Sequence, residues 1–161
     1  MIIGNGDIAK AIKDRKDLLF FVSGVSNSQE TRESEYKREV DLLSKQNKKS
    51  HIVYVSSLCV FYSNTRYAEH KRQMEGLVKK FKTWTIVRLG NITWGTNPHT
   101  LINKLKEQKQ RGEKLVIQDT YRYVCERDEF DYWFNMIPSW SCEMNVPGKR
   151  MKVKEIVKKY V

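Results

Sequence analysis

Short apolar runs alternate with amphipathic stretches along the whole chain. The runs have the length of β-strands and occupy residues 1–3, 18–22, 52–55, 85–89 and 115–117. In the stretches that follow them, apolar residues recur with a period near 3.6, which predicts helices over residues 8–13, 29–46, 67–81, 99–111, 129–136 and 153–161. Strands that alternate with helices are typical of an α/β domain with a mostly parallel sheet. We therefore predict a three-layer α/β fold.

The length of the chain indicates one domain. Its 161 residues are 40% hydrophobic, which is enough for a single core, and no repeat or linker divides residues 1–161. No apolar run approaches the ~20 residues of a membrane-spanning helix, and the first residues lack the basic and apolar regions of a signal peptide. We expect a cytoplasmic protein with no membrane partner.

The cysteines and histidines show no metal-binding pattern. The three cysteines are far apart and form no CxxC pair: Cys59, Cys125 and Cys142. Free thiols without a signal peptide fit a reducing compartment. The histidines also lack the spacing of metal ligands, and we interpret them as surface or strand-edge residues: His51, His70 and His99. The sequence predicts no metal site.

The net charge of +11 indicates an anionic partner. The basic residues are spread along the chain, with denser groups at 104–114 and 149–159. Neither group carries a zinc-finger or RNA-binding signature, so the pattern favours a solvated lysine-rich surface over a nucleic-acid groove. The anionic partners that this charge allows are a nucleotide, a polyphosphate, a nucleic acid and an acidic membrane surface.

A glycine-rich turn follows the first apolar run and precedes the first predicted helix. Residues 4–9 have the pattern G-x-G-x-x-A of a dinucleotide-binding loop. Gly4 allows a tight turn, Gly6 lets a pyrophosphate approach the backbone, and Ala9 lets the helix pack closely on the strand. A helix beginning here would also direct backbone N–H groups at the phosphates. The alternative is an ordinary glycine turn between a strand and a helix.

A serine, a tyrosine and a lysine form a second candidate site. The apolar run at 52–55 ends in Ser56 and Ser57, and Tyr67 and Lys71 follow at positions i and i+4 of a predicted helix. A lysine ammonium beside a phenol lowers the pKa of the phenol, so we expect Tyr67 to act as a general acid or base on a hydroxyl or carbonyl group.

These segments resemble the short-chain dehydrogenase/reductase superfamily, and specifically its extended branch of NAD-dependent nucleotide-sugar epimerases and dehydratases. The resemblance runs in order along nearly the whole chain. It is carried by GNGDIA (4–9), FFVSGVSNS (20–28), HIVYVSSLCVF (51–61), YAEHKRQME (67–75), IVRLGNITWG (86–95), TYRYVCERDEF (120–130) and NVPGKRMKVKEIVKKY (145–160). It implies a Rossmann-like fold, an NAD or NADP cofactor and a nucleotide-linked sugar as substrate.

The resemblance also implies a role for each matching residue. Tyr67 would be the acid/base, Lys71 its electrostatic partner and a ligand of the cofactor ribose, and Ser57, rather than Ser56, the hydrogen-bond donor to substrate. The residues implied to bind the cofactor are Gly4, Asn5, Gly6, Asp7, Ile8, Ser23, Gly24, Val25, Leu89 and Ile92. Asn91 and Arg122 are implied to contact the substrate diphosphate.

The chain is shorter than the proteins that it resembles, which are around twice its length. Only residues 14–17 lie between the first helix and the run at 18–22, so the family's second and third strands have no room. We expect a reduced sheet of about five strands, with strand 1–3 at or near an edge, and a small substrate-side region within 96–161. An exposed edge strand favours association, so a homodimer is a plausible assembly.

The family's ribose-binding acid is also missing. Residues 22–26 contain no Asp or Glu, although a Rossmann unit usually has an acidic residue about 20 positions after its glycine loop. Arg15 and Lys16 are candidates for contacting a ribose phosphate, which slightly favours NADP over NAD.

Three hypotheses about function remain open on the sequence. The first is a compact NAD(P)-dependent epimerase, dehydratase or keto-reductase for a nucleotide-linked sugar. The second is a non-catalytic module of the same fold that binds a nucleotide or a nucleic acid, and the third is a structural protein that pairs through its edge strand.

Overall fold

A computed structural model describes residues 1–161 of the chain. Its main sheet has five strands, all parallel, in the order β1-β2-β3-β4-β7. These strands are β1 (Ile2–Ile3), β2 (Leu19–Phe21), β3 (His51–Ser57), β4 (Thr83–Leu89) and β7 (Cys142–Val146). The predicted parallel α/β sheet of about five strands is confirmed, and β1 lies at its edge, as expected.

A second, smaller sheet lies beyond the end of β4. It consists of β5 (Asn91–Ile92), β6 (Tyr121–Cys125) and β8 (Lys149–Lys152). β6 lies in the middle, parallel to β5 and antiparallel to β8. Residues 96–161 are therefore divided between the two sheets, because β7 joins the main sheet while β6 and β8 join the small one.

Helices cover both faces of the main sheet. They are α1 (Asp7–Ala11), α2 (Glu33–Ser44), α3 (Arg66–Val78), α4 (Leu101–Gln110), α5 (Arg127–Asn135) and α6 (Val153–Tyr160), with a short 3-10 helix at Leu58–Phe61. No helix has both the length and the apolar character that crossing a bilayer requires.

The alternation of side chains along each strand builds two separate cores. Phe20 packs with residues of α1 and α5 on one face, whereas its neighbour Phe21 packs with residues of α2 and α3 on the other. Successive side chains of a strand point to opposite faces, so a fully apolar strand must be covered on both sides. This produces the three layers that the sequence predicts.

Most predicted elements are found with shifted ends, and one is wrong. Residues 115–117 form no strand, and Val116 is 82% exposed. An apolar run becomes a strand only where another strand pairs with it, and none lies beside this segment. Four short strands were not predicted from the hydrophobic pattern: β5, β6, β7 and β8.

Candidate active site

A cleft of about 1060 Å³ lies over the carboxyl ends of β1–β4. Ligands of open parallel sheets bind at this edge, where the loops after successive strands come together. The cleft is lined by every predicted site residue except Gly4 and the proposed phosphate contacts Arg15 and Lys16. Its charged lining is mainly basic, with Lys10, Arg38, Lys71, Lys104 and Arg122 against Asp7 and Glu107. Such a lining suits a diphosphate.

The glycine loop forms one wall of this cleft. Gly4 has φ +135°, and a Cβ atom there would lie 2.7 Å from the carbonyl oxygen of Val22. Its small size therefore allows the loop to approach the end of β2. Gly6 lines the cleft, and a Cβ there would meet no atom within 4 Å. Gly6 thus leaves open space in this wall of the cleft, which a side chain would narrow.

Asp7 connects two loops across the cleft. Its Oδ2 accepts a hydrogen bond of 2.8 Å from the backbone N–H of Asn97. The side chain also packs against Gly95, where a Cβ would overlap it. The Asn103 amide donates to the carbonyl oxygens of Gly95 and Asn97 and fixes the same loop from the other side. The carboxylate of Asp7 therefore holds the 95–97 loop in place, a contact that the sequence did not indicate.

The loop after β2 crosses the middle of the cleft. The guanidinium group of Arg38 donates hydrogen bonds of 3.2–3.4 Å to the carbonyl oxygen and the hydroxyl oxygen of Ser23. A Cβ on Gly24 would lie 2.8 Å from both Glu39 Oε1 and Lys71 Nζ. The N–H of Val25 donates to Glu39 Oε2 at 2.8 Å. This loop therefore packs directly against side chains of α2 and α3.

The two serines after β3 have different surroundings. Ser56 is buried, and its hydroxyl donates to Glu75 Oε1 at 2.6 Å. Ser57 lines the cleft, and its Oγ accepts from the N–H of Cys59 at 3.3 Å, which caps the 3-10 helix. The hydroxyl group of Ser57 can therefore donate a hydrogen bond to another acceptor, whereas the hydroxyl group of Ser56 already donates to Glu75.

Tyr67 and Lys71 lie one turn apart on α3, as the i, i+4 spacing requires, and both line the cleft. The ammonium group of Lys71 nevertheless points elsewhere: Nζ is 3.0 Å from the Tyr54 hydroxyl and 5.6 Å from the centre of the Tyr67 ring. Burial raises the pKa of Tyr67 well above its ordinary value. The pKa of Tyr67 is thus raised and not lowered as predicted, and burial of the phenol is the largest cause.

Lys71 belongs to a buried polar cluster of Glu39, Tyr54, His70 and Lys71. Glu39 on α2 accepts from Tyr54 Oη at 2.8 Å and from Lys71 Nζ at 3.4 Å. Its other oxygen is 2.9 Å from His70 Nε2. His70 is fully buried, so its interpretation as a surface residue is wrong. The sequence does contain one signal for this buried cluster: Glu39 is a charged residue in the apolar stripe of α2, between Tyr36 and Leu43.

The two predicted substrate residues lie at the far end of the cleft. The Asn91 amide donates to the carbonyl oxygen of Tyr123 at 2.9 Å, which ties β5 to β6. Arg122 donates to Thr120 Oγ1, to the Tyr121 carbonyl oxygen and to Gln118 Oε1 at 3.0–3.2 Å. Tyr62 and Tyr123 line the same end and were not predicted.

Arg15 and Lys16 lie near the amino ends of the strands, at the end of the main sheet opposite to the cleft. The N-terminal ammonium group, at the start of β1, contacts Asp14 and the Leu18 carbonyl oxygen. Arg15 itself binds Asp17 and the carbonyl oxygen of Ile137. Because α1 carries the chain back to the amino end of the sheet, the proposed contact of this pair with a ribose phosphate is wrong.

No metal-binding cluster of three or more His, Cys, Asp or Glu side chains is present in residues 1–161. All three cysteines are free thiols.

Comparison with solved structures identifies the fold. CapF, a capsular polysaccharide assembling protein from Staphylococcus aureus, matches with a TM-score of 0.61 and 20% identity over 88% of this chain and 44% of its own. A UDP-galactose 4-epimerase matches with a TM-score of 0.67 and 14% identity over 89% and 61%. WbmG from Bordetella bronchiseptica, in complex with NAD and UDP, matches with a TM-score of 0.66 and 13% identity over 86% and 53%.

The chain spans about half the length of these solved proteins. No protein-family model matches it. No curated protein matches it either. At identities of 20% and below, the agreement concerns the path of the backbone, including the parallel sheet with its cleft at the carboxyl edge. This chain therefore has the Rossmann-like α/β fold of these nucleotide-sugar epimerase and capsular polysaccharide proteins.

Proposed function

We propose that this protein is an NAD(P)-dependent enzyme that acts on a nucleotide-linked sugar, as an epimerase, dehydratase or keto-reductase. One observation carries the proposal. Six of the seven stretches that resemble the family contribute residues to one cleft, at the carboxyl ends of the strands where ligands of this fold bind.

The residues of the cleft have distinct parts in this proposal. Gly6 and Asn5 surround the pyrophosphate of the dinucleotide, while Leu89 and Ile92 form an apolar surface for its nicotinamide end. The bound dinucleotide supplies hydride transfer. Ser57 donates a hydrogen bond to the reacting oxygen of the sugar, and Tyr67 moves a proton to or from that oxygen. Arg122, released from its local partners, would face the substrate diphosphate.

The choice between NAD and NADP rests on different residues from those that the sequence indicated. Arg15 and Lys16 are distant from the cleft, so they no longer support NADP. Lys10 and Arg38 line the cleft near the glycine loop and the loop after β2, and they are candidates for a ribose phosphate there. Titrations with both cofactors, repeated on Arg38→Gln, decide between them: a selective loss of NADPH affinity supports NADP.

The decisive experiment is a fluorescence titration with NADH and NADPH, using energy transfer from the four tryptophans. Saturable transfer at micromolar cofactor supports the proposal. Turnover is then sought with a panel of nucleotide sugars, and Tyr67→Phe should abolish it. Tyr132→Phe is the matched control, because Tyr132 is 59% exposed on α5 and does not line the cleft. The absence of transfer with both cofactors overturns the proposal.

A non-catalytic nucleotide-binding module is the second candidate. The observation that favours it is the engagement of Lys71 by Glu39 and Tyr54 instead of Tyr67. This alternative predicts nucleotide binding that Tyr67→Phe leaves unchanged, with no turnover in either protein. A nucleic-acid variant of it would show affinity that falls steeply with salt concentration.

The exposed edge of β1 is where we propose that a homodimer would form. β1 has a strand on one side only, and its free backbone groups are available to a second copy. Sedimentation at several protein concentrations tests this assembly, and a monomer at the highest concentration contradicts it.

A further inference from the structure

The carboxylate of Glu39 lies at the centre of the buried cluster beneath the cleft. Its Oε1 atom faces the Tyr54 hydroxyl and the Lys71 ammonium group, and its Oε2 atom faces the Val25 N–H and His70 Nε2. Glu39, Tyr54 and His70 are fully buried, and Lys71 is 3% exposed. Four hydrogen-bond donors from three parts of the fold thus converge on one carboxylate.

The protonation of His70 follows from its partners. Nε2 lies 2.9 Å from a carboxylate oxygen and must therefore carry the proton. Nδ1 is buried and has no hydrogen-bond partner. His70 therefore donates a hydrogen bond from Nε2 to the carboxylate of Glu39.

The remaining charges of the cluster balance. The positive charge of Lys71 and the hydrogen bond from His70 outweigh burial and lower the pKa of Glu39 to about 2, so this group is a carboxylate. Glu39 and Lys71 then form a neutral pair, which is how a buried charge is tolerated. The charge of Lys71 is thus paired with Glu39, and its Nζ atom lies 5.6 Å from the centre of the Tyr67 ring.

Burial and the negative charge of Glu39 favour the protonated form of Tyr67, which has titratable neighbours on several elements. Tyr36 and Glu39 face it from α2, Tyr54 from β3, Cys59 and Tyr62 from the segment after β3, and Lys71 from its own helix. Among these, Lys71 alone carries a positive charge, and its Nζ atom is held on the Tyr54 side.

We propose that Glu39 is a positioning residue that holds Lys71 against Tyr54 and balances its charge, so that Tyr67 enters the reaction as a phenol and acts as a proton donor. This inference rests on the proposed function and narrows it to the reduction of a ketone on the sugar. The carbonyl carbon takes a hydride from the reduced nicotinamide, and the carbonyl oxygen takes the proton of Tyr67. The resulting tyrosinate regains its proton from water.

The first test needs neither cofactor nor substrate. The full chain is labelled with ¹³Cζ-tyrosine, the Tyr67 signal is identified by its loss in Tyr67→Phe, and its shift is followed by NMR between about pH 6 and pH 10. In the wild type we expect no ionisation of Tyr67 over this range. In Glu39→Gln, which frees the charge of Lys71, we expect the ionisation to enter the range, a change of at least about tenfold in the acid constant. In Glu39→Gln/Lys71→Met, which removes both charges, we expect Tyr67 again to show no ionisation between about pH 6 and pH 10.

Two results overturn the inference. The first is a Tyr67 signal in the wild type that titrates near neutral pH, and the second is one in Glu39→Gln that stays unmoved. The wild-type protein provides a further check if Glu39→Gln does not fold, because ¹⁵N NMR reports the tautomer of His70. A proton on Nε2 supports the hydrogen bond to Glu39, and a ring that carries its proton on Nδ1 alone overturns it.

The proposed function fails or succeeds separately. If the NMR signals of Tyr67 and His70 agree with the expectations above but no cofactor binds, the enzymatic proposal is overturned. The role of Glu39 in ketone reduction is then overturned as well. If turnover is found but the ionisation of Tyr67 is the same in Glu39→Gln, only the inference about Glu39 is overturned. In an active enzyme, kcat for ketone reduction should fall at lower pH in Glu39→Gln than in the wild type, with KM for the cofactor less affected.

Discussion

The guanidinium group of Arg88 binds the carboxylate of Glu75 through two hydrogen bonds, from Nε to Oε1 at 2.9 Å and from Nη2 to Oε2 at 2.6 Å. Both residues are buried. Ser56 donates to the same carboxylate, and Arg88 also binds Glu143 on β7. The pair therefore fixes α3, which carries Tyr67 and Lys71, to three strands of the main sheet.

Breaking this pair should strongly destabilise the protein. Arg88→Met leaves the carboxylate of Glu75 buried without its partner, and we expect a loss of about 3–5 kcal/mol in the free energy of unfolding. Urea unfolding measures the change. Lys79→Met is the matched control, because Lys79 pairs with Glu143 at the surface, where an ion pair contributes at most about 1 kcal/mol. Equal losses in both variants would contradict this account of the Arg88 pair.

Asp7 should act through its hydrogen bond to the 95–97 loop and not through its charge. Asp7→Asn keeps an oxygen that can accept the Asn97 N–H and removes a negative charge beside the glycine loop, so cofactor affinity should be equal or higher. Asp7→Ala removes the acceptor, and the loop at 95–97 should exchange its amide hydrogens faster while cofactor affinity falls. Hydrogen exchange and the fluorescence titration give the two readouts. A parallel loss of affinity in both variants would show that the charge itself matters.

Three glycine-to-alanine variants should separate folding from binding. Gly4→Ala forces a Cβ against the Val22 carbonyl oxygen at a positive φ, and we expect a loss of more than about 1 kcal/mol. Gly6→Ala adds a Cβ in open space, so stability should change little while cofactor binding is lost. Gly76→Ala is the control: it lies on an exposed position of α3 and should gain about 0.5–1 kcal/mol. Thermal unfolding and cofactor titration are measured on each, and undiminished binding by Gly6→Ala would remove Gly6 from the proposed site.

The buried carboxylate of Glu39 should make stability depend on pH in the acid range. Its pKa falls from an ordinary value of 4.5 to about 2 on folding. A group with a lower pKa in the folded state stabilises the fold above its unfolded pKa, and this contribution disappears as the pH falls through its folded pKa. We expect a loss on the order of 3 kcal/mol between pH 4.5 and pH 2.

Urea unfolding across this pH range tests the contribution of Glu39. Glu39→Gln should be less stable at neutral pH and should lose less stability on acidification than the wild type. Asp41→Asn, at an exposed ion pair on the same helix, should follow the wild-type pH dependence closely. If the curves of the wild type and Glu39→Gln stay parallel from neutral pH to pH 2, the carboxylate does not have this role.

The local elements of the main sheet were predictable because their signals lie within short windows. The run at 52–55 became the centre of β3, and the helical period after Tyr67 became α3. The hydrophobic pattern did not predict β6 and β8, because YRYVC is partly exposed and KRMK is mostly basic. They are strands because they pair with each other between residues 25 to 31 positions apart, and such pairing leaves no local pattern.

The sequence by itself determined which residues come together at the cleft, because the ends of parallel strands must meet at one edge of their sheet. Only the tertiary structure decided what each side chain does there. Arg15 lies near the amino ends of the strands, away from the cleft, because α1 reverses the direction of the chain. Asp7 contacts Asn97, which is 90 residues away in the sequence. Glu39 reaches Lys71 across 32 residues. The charge near Tyr67 depends on this long-range pair, since electrostatic effects follow distance and burial in the folded molecule and not spacing along the chain.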